Sequence, residues 1–318
     1  MTQHLAIVGP TATGKSALAL AVARRAGDAE LVSLDSMQVY RGLDIGTAKP
    51  TAEERAEIRH HLVDVADPSE EWSVARTQTG ARAAIADIEA RGKRAILVGG
   101  TGLYVQAVVD AFELPGEDLA VRAELEAATS EPGGLLAAWR ELQAVDPDAA
   151  ARIDEHNQRR IVRALEVIHI TGEPFSSFGP GVFGTGQTAF PVLLTGVWIT
   201  RAELAARISA RLDGMRTAGL AEEVRSVAGR LSRSAAQAIG YKELLAAVGR
   251  DDAVGPAAEG ALEEAFALAA RRTRSFARRQ RMWFRRDPRI TWFAPGREFG
   301  RAADALLTCW NDMATQAA

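Results

Sequence analysis

One stretch near the start of the chain does most to fix what it can fold into: Gly9-Pro10-Thr11-Ala12-Thr13-Gly14-Lys15-Ser16. It follows the apolar run Leu5–Val8 and precedes the helix-forming run Ala17–Ala23. The spacing is G-x-x-x-x-G-K-[ST], and strand, glycine-rich turn, helix is the setting in which that spacing grips phosphate. Glycines let the backbone wrap an anion, amide N–H groups point inward, and the helix N-terminus adds partial positive charge. Gly9, Pro10, Thr11, Ala12, Thr13, Gly14, Lys15 and Ser16 are therefore expected to cradle a di- or triphosphate. Lys15 would reach the terminal phosphates and the Ser16 hydroxyl would ligand Mg²⁺.

Short apolar runs bounded by Gly, Asp or Pro predict strands at Leu5–Val8, Leu31–Leu34, Leu62–Val65, Ala95–Val98, Val192–Ile199 and Ile290–Phe293. Helical patterns lie between the early ones, at Ser16–Arg25, Ala52–Arg59, Val74–Arg91 and Leu103–Ala111. Alternation of this kind predicts an α/β fold with a doubly wound parallel sheet carrying the phosphate loop (P-loop). From about Pro115 to Ala189 only helices are predicted: Leu119–Ala128, Gly134–Ala144 and Arg159–Ile170, followed by the Pro- and Gly-rich stretch Gly172–Gly186. The expected organisation is a core over 1–114 and 190–318, interrupted by an all-helical domain at 115–189. Helices are predicted again at Arg201–Leu231, Ala235–Val248 and Leu262–Arg286.

Composition narrows the class. At 47% hydrophobic and 25% charged residues the chain is ordinary for a globular protein. No apolar run reaches the ~18 residues of a membrane span, and the start lacks a secretory pattern. Cys309 is the only cysteine, which excludes an intramolecular disulfide framework and a cysteine zinc site. A cytoplasmic monomer that does not engage membranes is the expectation. The net charge of −3 argues for no nucleic-acid partner, but its distribution does. Arg271, Arg274, Arg278, Arg281 and Arg285 recur at helical spacing on one face, while Phe266, Ala270, Ala277 and Phe284 form an apolar stripe. Arg159, Arg160 and Arg163 form a second basic group.

Three further segments can carry chemistry. Asp35, at the end of the second strand, would face the ligand as a general base or an outer Mg²⁺ partner, or simply cap a turn. The run Val98-Gly99-Gly100-Thr101-Gly102 ends the fourth strand with glycine where a hydrolytic NTPase often has a carboxylate. Its glycines admit a close backbone or substrate approach, and Thr101 offers a hydroxyl. His60-His61 invite a metal reading, but adjacent strand residues point to opposite faces, so a structural or substrate-facing role is the expectation.

Together these segments resemble the bacterial tRNA dimethylallyltransferases, which prenylate the adenosine beside the anticodon. The resemblance rests on Gly9–Ser16, Asp35–Tyr40, Gly46–Pro50, His60–Asp64, Gly99–Tyr104, Arg163–Val167, Gln237–Glu243 and Thr273–Phe284. It implies that the loop grips dimethylallyl diphosphate with Mg²⁺ at Ser16. Asp35, Lys15 and Thr101 would be catalytic, Asp35 taking the proton from adenine N6. Arg207 would bind the leaving diphosphate. Asp35, Ser36, Met37, Gln38, Thr101, Arg159, Arg160, Lys242, Arg278 and Arg281 are implied to contact the anticodon stem-loop. The chain departs from the family pattern at Ala205, Ser209 and Asp154–Asn157. A small-molecule or nucleoside kinase is the rival reading, with Asp35 deprotonating a hydroxyl; it gives the arginine face no use.

Overall fold

The computed structural model describes residues 3–111, 114–178, 187–248, 256–294, 296 and 299–316. Two compact units emerge: Met1–Val109 with Thr188–Ala318, and Asp110–Gln187. The first unit opens with β1 (His4–Val8), α1 (Lys15–Ala26), β2 (Ala29–Ser33), α2 (Ala52–Glu57), β3 (His60–His61), α3 (Val74–Ala90), β4 (Arg94–Gly99) and α4 (Gly102–Val109). The second unit holds α5 (Leu119–Ser130), α6 (Gly134–Val145), α7 (Pro147–Ala150) and α8 (Gln158–Thr171). The chain then returns to the first unit with β5 (Val192–Val197), α9 (Arg201–Thr217), α10 (Leu220–Val227), α11 (Tyr241–Val248), α12 (Pro256–Phe284), β6 (Thr291–Phe293) and α13 (Phe299–Gln316).

All six strands are parallel, in the order β3-β2-β4-β1-β5-β6. Every residue of β1 and β2 is buried, as a strand covered by helices on both faces requires. Leu5 and Ile7 pack with Leu18, Val22, Ile96, Leu306 and Trp310 under α1 and α13. Ala6 and Val8, pointing the other way, pack with Val32, Ile85, Leu97, Val105 and Phe284 under α3, α4 and α12. A third cluster joins α9 to α12 around Tyr40, Leu43, Ile208, Leu220, Tyr241 and Phe266.

Register decides where the site lies. Val8 is level with Gly99 and with Gly196, and Ser33 is level with Val98. The segments following β1, β2, β4 and β5 therefore leave the sheet at one carboxyl edge, where open α/β sheets bind ligands.

The structure corrects three predicted elements and adds a fourth. Leu62–Val65 is not a strand: β3 is His60–His61, after which Leu62 (φ 59°) and Asp64 (φ 58°) enter the left-handed region and turn the chain away. The long helix Arg201–Leu231 breaks at Ala218-Gly219, where Gly219 (φ 93°) ends one amphipathic helix and starts another. Ala235–Val248 is a short 3₁₀ turn followed by α11. The C-terminal helix α13 was not anticipated, although Ala302, Ala303, Leu306 and Trp310 show helical spacing and are all buried. Residues 179–186 of the predicted Gly- and Pro-rich stretch lie outside the described residues.

The named elements of the second unit are all helices, with a core of Leu142, Ile161, Ala164 and Leu165. At its centre the fully buried Glu166 accepts from Arg122, from Arg163 at 2.9 Å and from the Asp118 amide at 2.9 Å. Burial pushes the Glu166 carboxyl up, but these donors outweigh it and hold it below its ordinary value. Arg163, predicted to belong to an RNA-facing group, also donates to the carbonyls of Pro115 and Gly116. It is a fixture of the unit's interior network.

Candidate active site

Gly9–Gly14 connect β1 to α1, whose first two residues are Lys15 and Ser16, so strand, glycine-rich turn and helix follow one another as predicted. Gly14, in the left-handed region, precedes α1 without a side-chain cap, and the first turn carries no acidic residue. The N–H groups and positive end of α1 are thus left for an anion. Thr13 donates its hydroxyl to the Pro10 carbonyl at 2.9 Å, which closes the loop on itself. Lys15 starts the helix and Ser16 follows it, exposed.

Side chains distant in sequence hold the loop. Arg207, on α9, donates to the Thr13 carbonyl at 3.1 Å and pairs with Glu203 at 2.8 Å. Arg211, one turn further, donates to Thr11 Oγ1 at 3.0 Å. Burial lowers the Lys15 ammonium to about 8; Asp35 opposes the shift and Arg211 adds to it. Burial also lowers Arg211, again against the pull of Asp35. Lys15, Arg211 and Asp35 are accordingly in electrostatic reach of one another. Arg207 is the arginine expected from the sequence, and Arg211, one turn on along the same helix face, joins it.

Asp35 leaves β2 in a tight turn. Its Oδ1 accepts from the Met37 amide at 2.9 Å and the Gln38 amide at 3.4 Å, so the turn-capping role is real. Ser36 and Met37 are half-buried, with Met37 packed against the third core cluster. Gln38 takes a hydrogen bond from Ser33 Oγ at 2.9 Å and donates to the carbonyls of Thr47 and Ala48, each at 3.2 Å. Its amide braces the loop from within. Thr101 sits half-buried just before α4, and its carbonyl accepts from the amides of Tyr104 and Val105.

The glycines after β4 are crowded by the protein itself. A Cβ on Gly99 would lie 2.9 Å from both Leu34 Cβ and Val105 Cγ2, which leaves no room for the carboxylate of a hydrolytic site. One on Gly100 would lie 2.6 Å from Gln280 Nε2 and 3.5 Å from Lys15 Nζ.

Helix α12 buries Phe266, Ala277 and Phe284 and exposes Arg271, Arg274, Arg278 and Arg285, as its periodicity predicts. Arg281 is placed differently: its guanidinium lies 3.4 Å from the centroid of the Trp198 ring, and Trp198 packs edge-on to Trp292. A small cleft lined by Pro10, Thr13, Trp198, Leu204, Arg281 and Trp292 connects this stack to the phosphate loop. Lys242 is exposed on α11 and donates to Gln237 at 2.7 Å. In the second unit, Arg159 and Arg160 are exposed in the first turn of α8.

His60 and His61 are structural. His61 pairs with buried Glu30 at 2.8 Å, and His60 Nδ1 lies 2.7 Å from the Ile58 carbonyl. Among the described residues, no group of three or more His, Cys, Asp or Glu side chains is placed to hold a metal. A resident all-protein metal cage is thereby set apart from Mg²⁺, which keeps few protein ligands and arrives with phosphate oxygens. The exposed Ser16 hydroxyl at the mouth of the loop fits that second pattern.

The Gly9–Ser16 loop, the Asp35 carboxylate and the arginine-faced helix α12 lie in one compact unit. Residues 38–287 match the family model described as IPP transferase, and the chain belongs to that family. A tRNA dimethylallyltransferase of Streptomyces avermitilis is 48% identical over 305 residues, covering 94% of this chain and 91% of its own. One from Salinispora tropica is 47% identical over 303 residues, covering 94% and 90%. A solved tRNA isopentenylpyrophosphate transferase of Bacillus halodurans superposes with a TM-score of 0.69 at 37% identity, covering 100% of this chain and 99% of its own. A eukaryotic dimethylallyltransferase acting on tRNA reaches a TM-score of 0.81 at 26% identity, covering 99% and 80%. These relatives are named for prenyl transfer, and none of this favours the kinase reading. No helix among the described residues is long and apolar enough to cross a membrane.

Proposed function

We propose that the chain transfers a dimethylallyl group from dimethylallyl diphosphate to N6 of the adenosine 3′ to the anticodon in tRNA, releasing diphosphate. Membership of the IPP transferase family and the names of its relatives support this reading. The observation that carries the donor half is the cationic loop: Lys15, Arg207 and Arg211 converge on Gly9–Ser16, where diphosphate would sit.

In the reaction, adenine N6 attacks C1 of the dimethylallyl group, the C1–O bond to diphosphate breaks, and the N6 proton leaves to a base. The exocyclic amine is a weak nucleophile because its lone pair is delocalised into the ring. Asp35 is the proposed base. With Oδ1 held by the Met37 and Gln38 amides, Oδ2 is the oxygen that would take the proton. A positioned base contributes ~10²–10⁴-fold. Lys15, the loop amides, Arg207 and Arg211 would stabilise charge on the departing diphosphate. Mg²⁺, held at Ser16, would neutralise part of that charge when bound. Thr101 would hold the acceptor base near Asp35.

The adenosine must be splayed out of its stacked loop to reach the site. Arg278 and Lys242 on the first unit, and Arg159 and Arg160 on the second, are proposed phosphate contacts. Arg281, Ser36, Met37 and Gln38 would shape the surroundings of the base more than read it. A monomer acting in the cytoplasm is the proposed working state.

The test is incubation of the purified protein, Mg²⁺ and labelled dimethylallyl diphosphate with unmodified bulk tRNA, followed by nucleoside analysis. Label on N6 of adenosine is expected. Transfer to free AMP alone, or consumption of ATP, would overturn the acceptor assignment.

A further inference from the structure

Gln280 breaks the pattern of its own helix. It lies on the buried stripe of α12, between Ala277 and Phe284, where an apolar residue would suffice for packing, and it is only 6% exposed. A buried amide is costly unless all its polar atoms are engaged. Both are. Gln280 Oε1 accepts from the Thr11 amide at 2.9 Å, and Nε2 donates to the Gly100 carbonyl at 2.8 Å. The partners fix the orientation, since a reversed amide would set N–H against N–H and carbonyl against carbonyl. One side chain thus joins three elements: the phosphate loop after β1, the glycine turn after β4, and the helix that carries the exposed arginines. Gly100 is shaped around it, because a Cβ there would lie 2.6 Å from Nε2, 3.2 Å from the Gly9 carbonyl and 3.5 Å from Lys15 Nζ.

We propose that Gln280 is the positioning residue of the donor site, setting the phosphate loop and the Gly99–Gly102 turn at the separation that transfer requires. Its amide is engaged by Thr11 and Gly100, so it would act through them. By taking up the Thr11 amide it removes one loop N–H from the anion-binding set and makes it structural. The remaining amides and Lys15 are thereby held in one arrangement before the donor arrives, which is where positioning gains rate. The inference rests on the donor reading proposed above.

Gln280→Met keeps the length and loses both hydrogen bonds; Gln280→Glu keeps the bond from Thr11 and sets a carboxylate oxygen against the Gly100 carbonyl. Steady-state prenyl transfer, inorganic diphosphate binding by calorimetry and thermal midpoints are measured for both variants and the parent. Each variant is expected to raise KM for dimethylallyl diphosphate about tenfold or more and to lower kcat, while KM for tRNA stays within about twofold. A purely structural residue would instead lower the thermal midpoint and leave the donor KM unchanged; that result overturns the proposal. If Gln280→Met does not fold, the donor KM of Gln280→Glu decides alone. Failure of the parent protein to bind diphosphate or transfer the prenyl group would overturn the donor reading itself, and this inference with it. That outcome is distinct because it appears before any substitution.

Discussion

Around Gly9–Ser16 stand three cations, Lys15, Arg207 and Arg211, with Asp35 and the exposed Glu203 as their carboxylates. The segment after β2 is wired the opposite way. Lys49, whose side chain is 1% exposed, is gripped by Asp44 and by Asp64 at 2.5 Å, and Arg55 holds the other oxygen of Asp64. Burial pushes the Asp64 carboxyl up, but Lys49 and Arg55 outweigh it and hold it below its ordinary value. Glu223 on α10 accepts from the amides of Asp44, Ile45 and Gly46 and from the Tyr241 hydroxyl. Burial, with Glu223 close by, pushes the Tyr241 phenol up. The second segment is electrically complete and serves as scaffold. The first sets three cations against two carboxylates, an imbalance that the proposed diphosphate would offset.

The largest expected contrast comes from deleting each lysine. Lys15→Met should lower kcat/KM about 10²–10³-fold, the usual loss when one charge-stabilising donor is removed. Its thermal midpoint should stay level or rise, because the deleted cation is poorly compensated. Lys49→Met should do the reverse. It strands Asp64 with Arg55 alone and should cost about 2–3 kcal/mol, less than a fully buried pair because Asp44 is mostly exposed. Denaturant unfolding alongside initial rates reads both. A Lys15 variant that is chiefly unstable, or a Lys49 variant that is chiefly inactive, would erase the distinction.

A change of base sharpens the same contrast. Asp35→Ala should cut turnover by ~10²-fold or more with little change in tRNA affinity, measured by single-turnover transfer and filter binding. A large loss of tRNA binding with intact chemistry would make Asp35 a turn cap and nothing more.

The lowered Lys15 gives the comparison a pH signature. Between about 8 and its ordinary 10.5, the unfolded chain holds a proton at Lys15 that the empty folded protein lacks. Stability of the empty protein should therefore rise with pH across that window. Diphosphate binding restores the charged form, so at about pH 8.5 it should take up protons, and affinity should fall as pH rises further. Calorimetry of inorganic diphosphate in buffers of different ionisation enthalpy measures the uptake. Lys15→Met should abolish it, and equal heats in all buffers for the parent would refute the assignment.

These contrasts also explain what was legible in the sequence. The Gly9–Ser16 loop is local: its glycines, lysine and serine fall within one eight-residue stretch, so spacing alone placed it between strand and helix. Asp35 was legible because strand ends gather at one edge. Arg211 and Gln280 were not, since nothing local marks them. One repeats the helical spacing of an arginine already chosen, and the other hides within an apolar stripe. Their roles come from the register that brings α9 and α12 over a loop about two hundred or more residues earlier. The strand missed at His60–His61 has a related cause, because two residues beside Leu31 and Val32 are held by the sheet and by Glu30, and not by their own propensity.

The smallest effect separates the exposed arginines from the engaged ones. Arg278 lies in solvent on α12, whereas Arg281 spends its planar face on Trp198, and burial, with Arg201 and Arg285 nearby, lowers its pKa. If Arg278 meets an RNA phosphate, Arg278→Ala should reduce the slope of log affinity against log salt by about 0.7–0.9. Arg281→Ala should leave that slope nearly intact and instead disturb the cleft beside Pro10 and Thr13, which would appear as a raised KM for the prenyl donor. The two substitutions are three residues apart on one helix and both remove one positive charge, so net charge cannot account for a difference between them. Equal slopes in Arg278→Ala and the parent would return the outer face of α12 to plain solvation. Equal behaviour of the two variants in both assays would mean that the stack on Trp198 does not hold Arg281 away from the RNA.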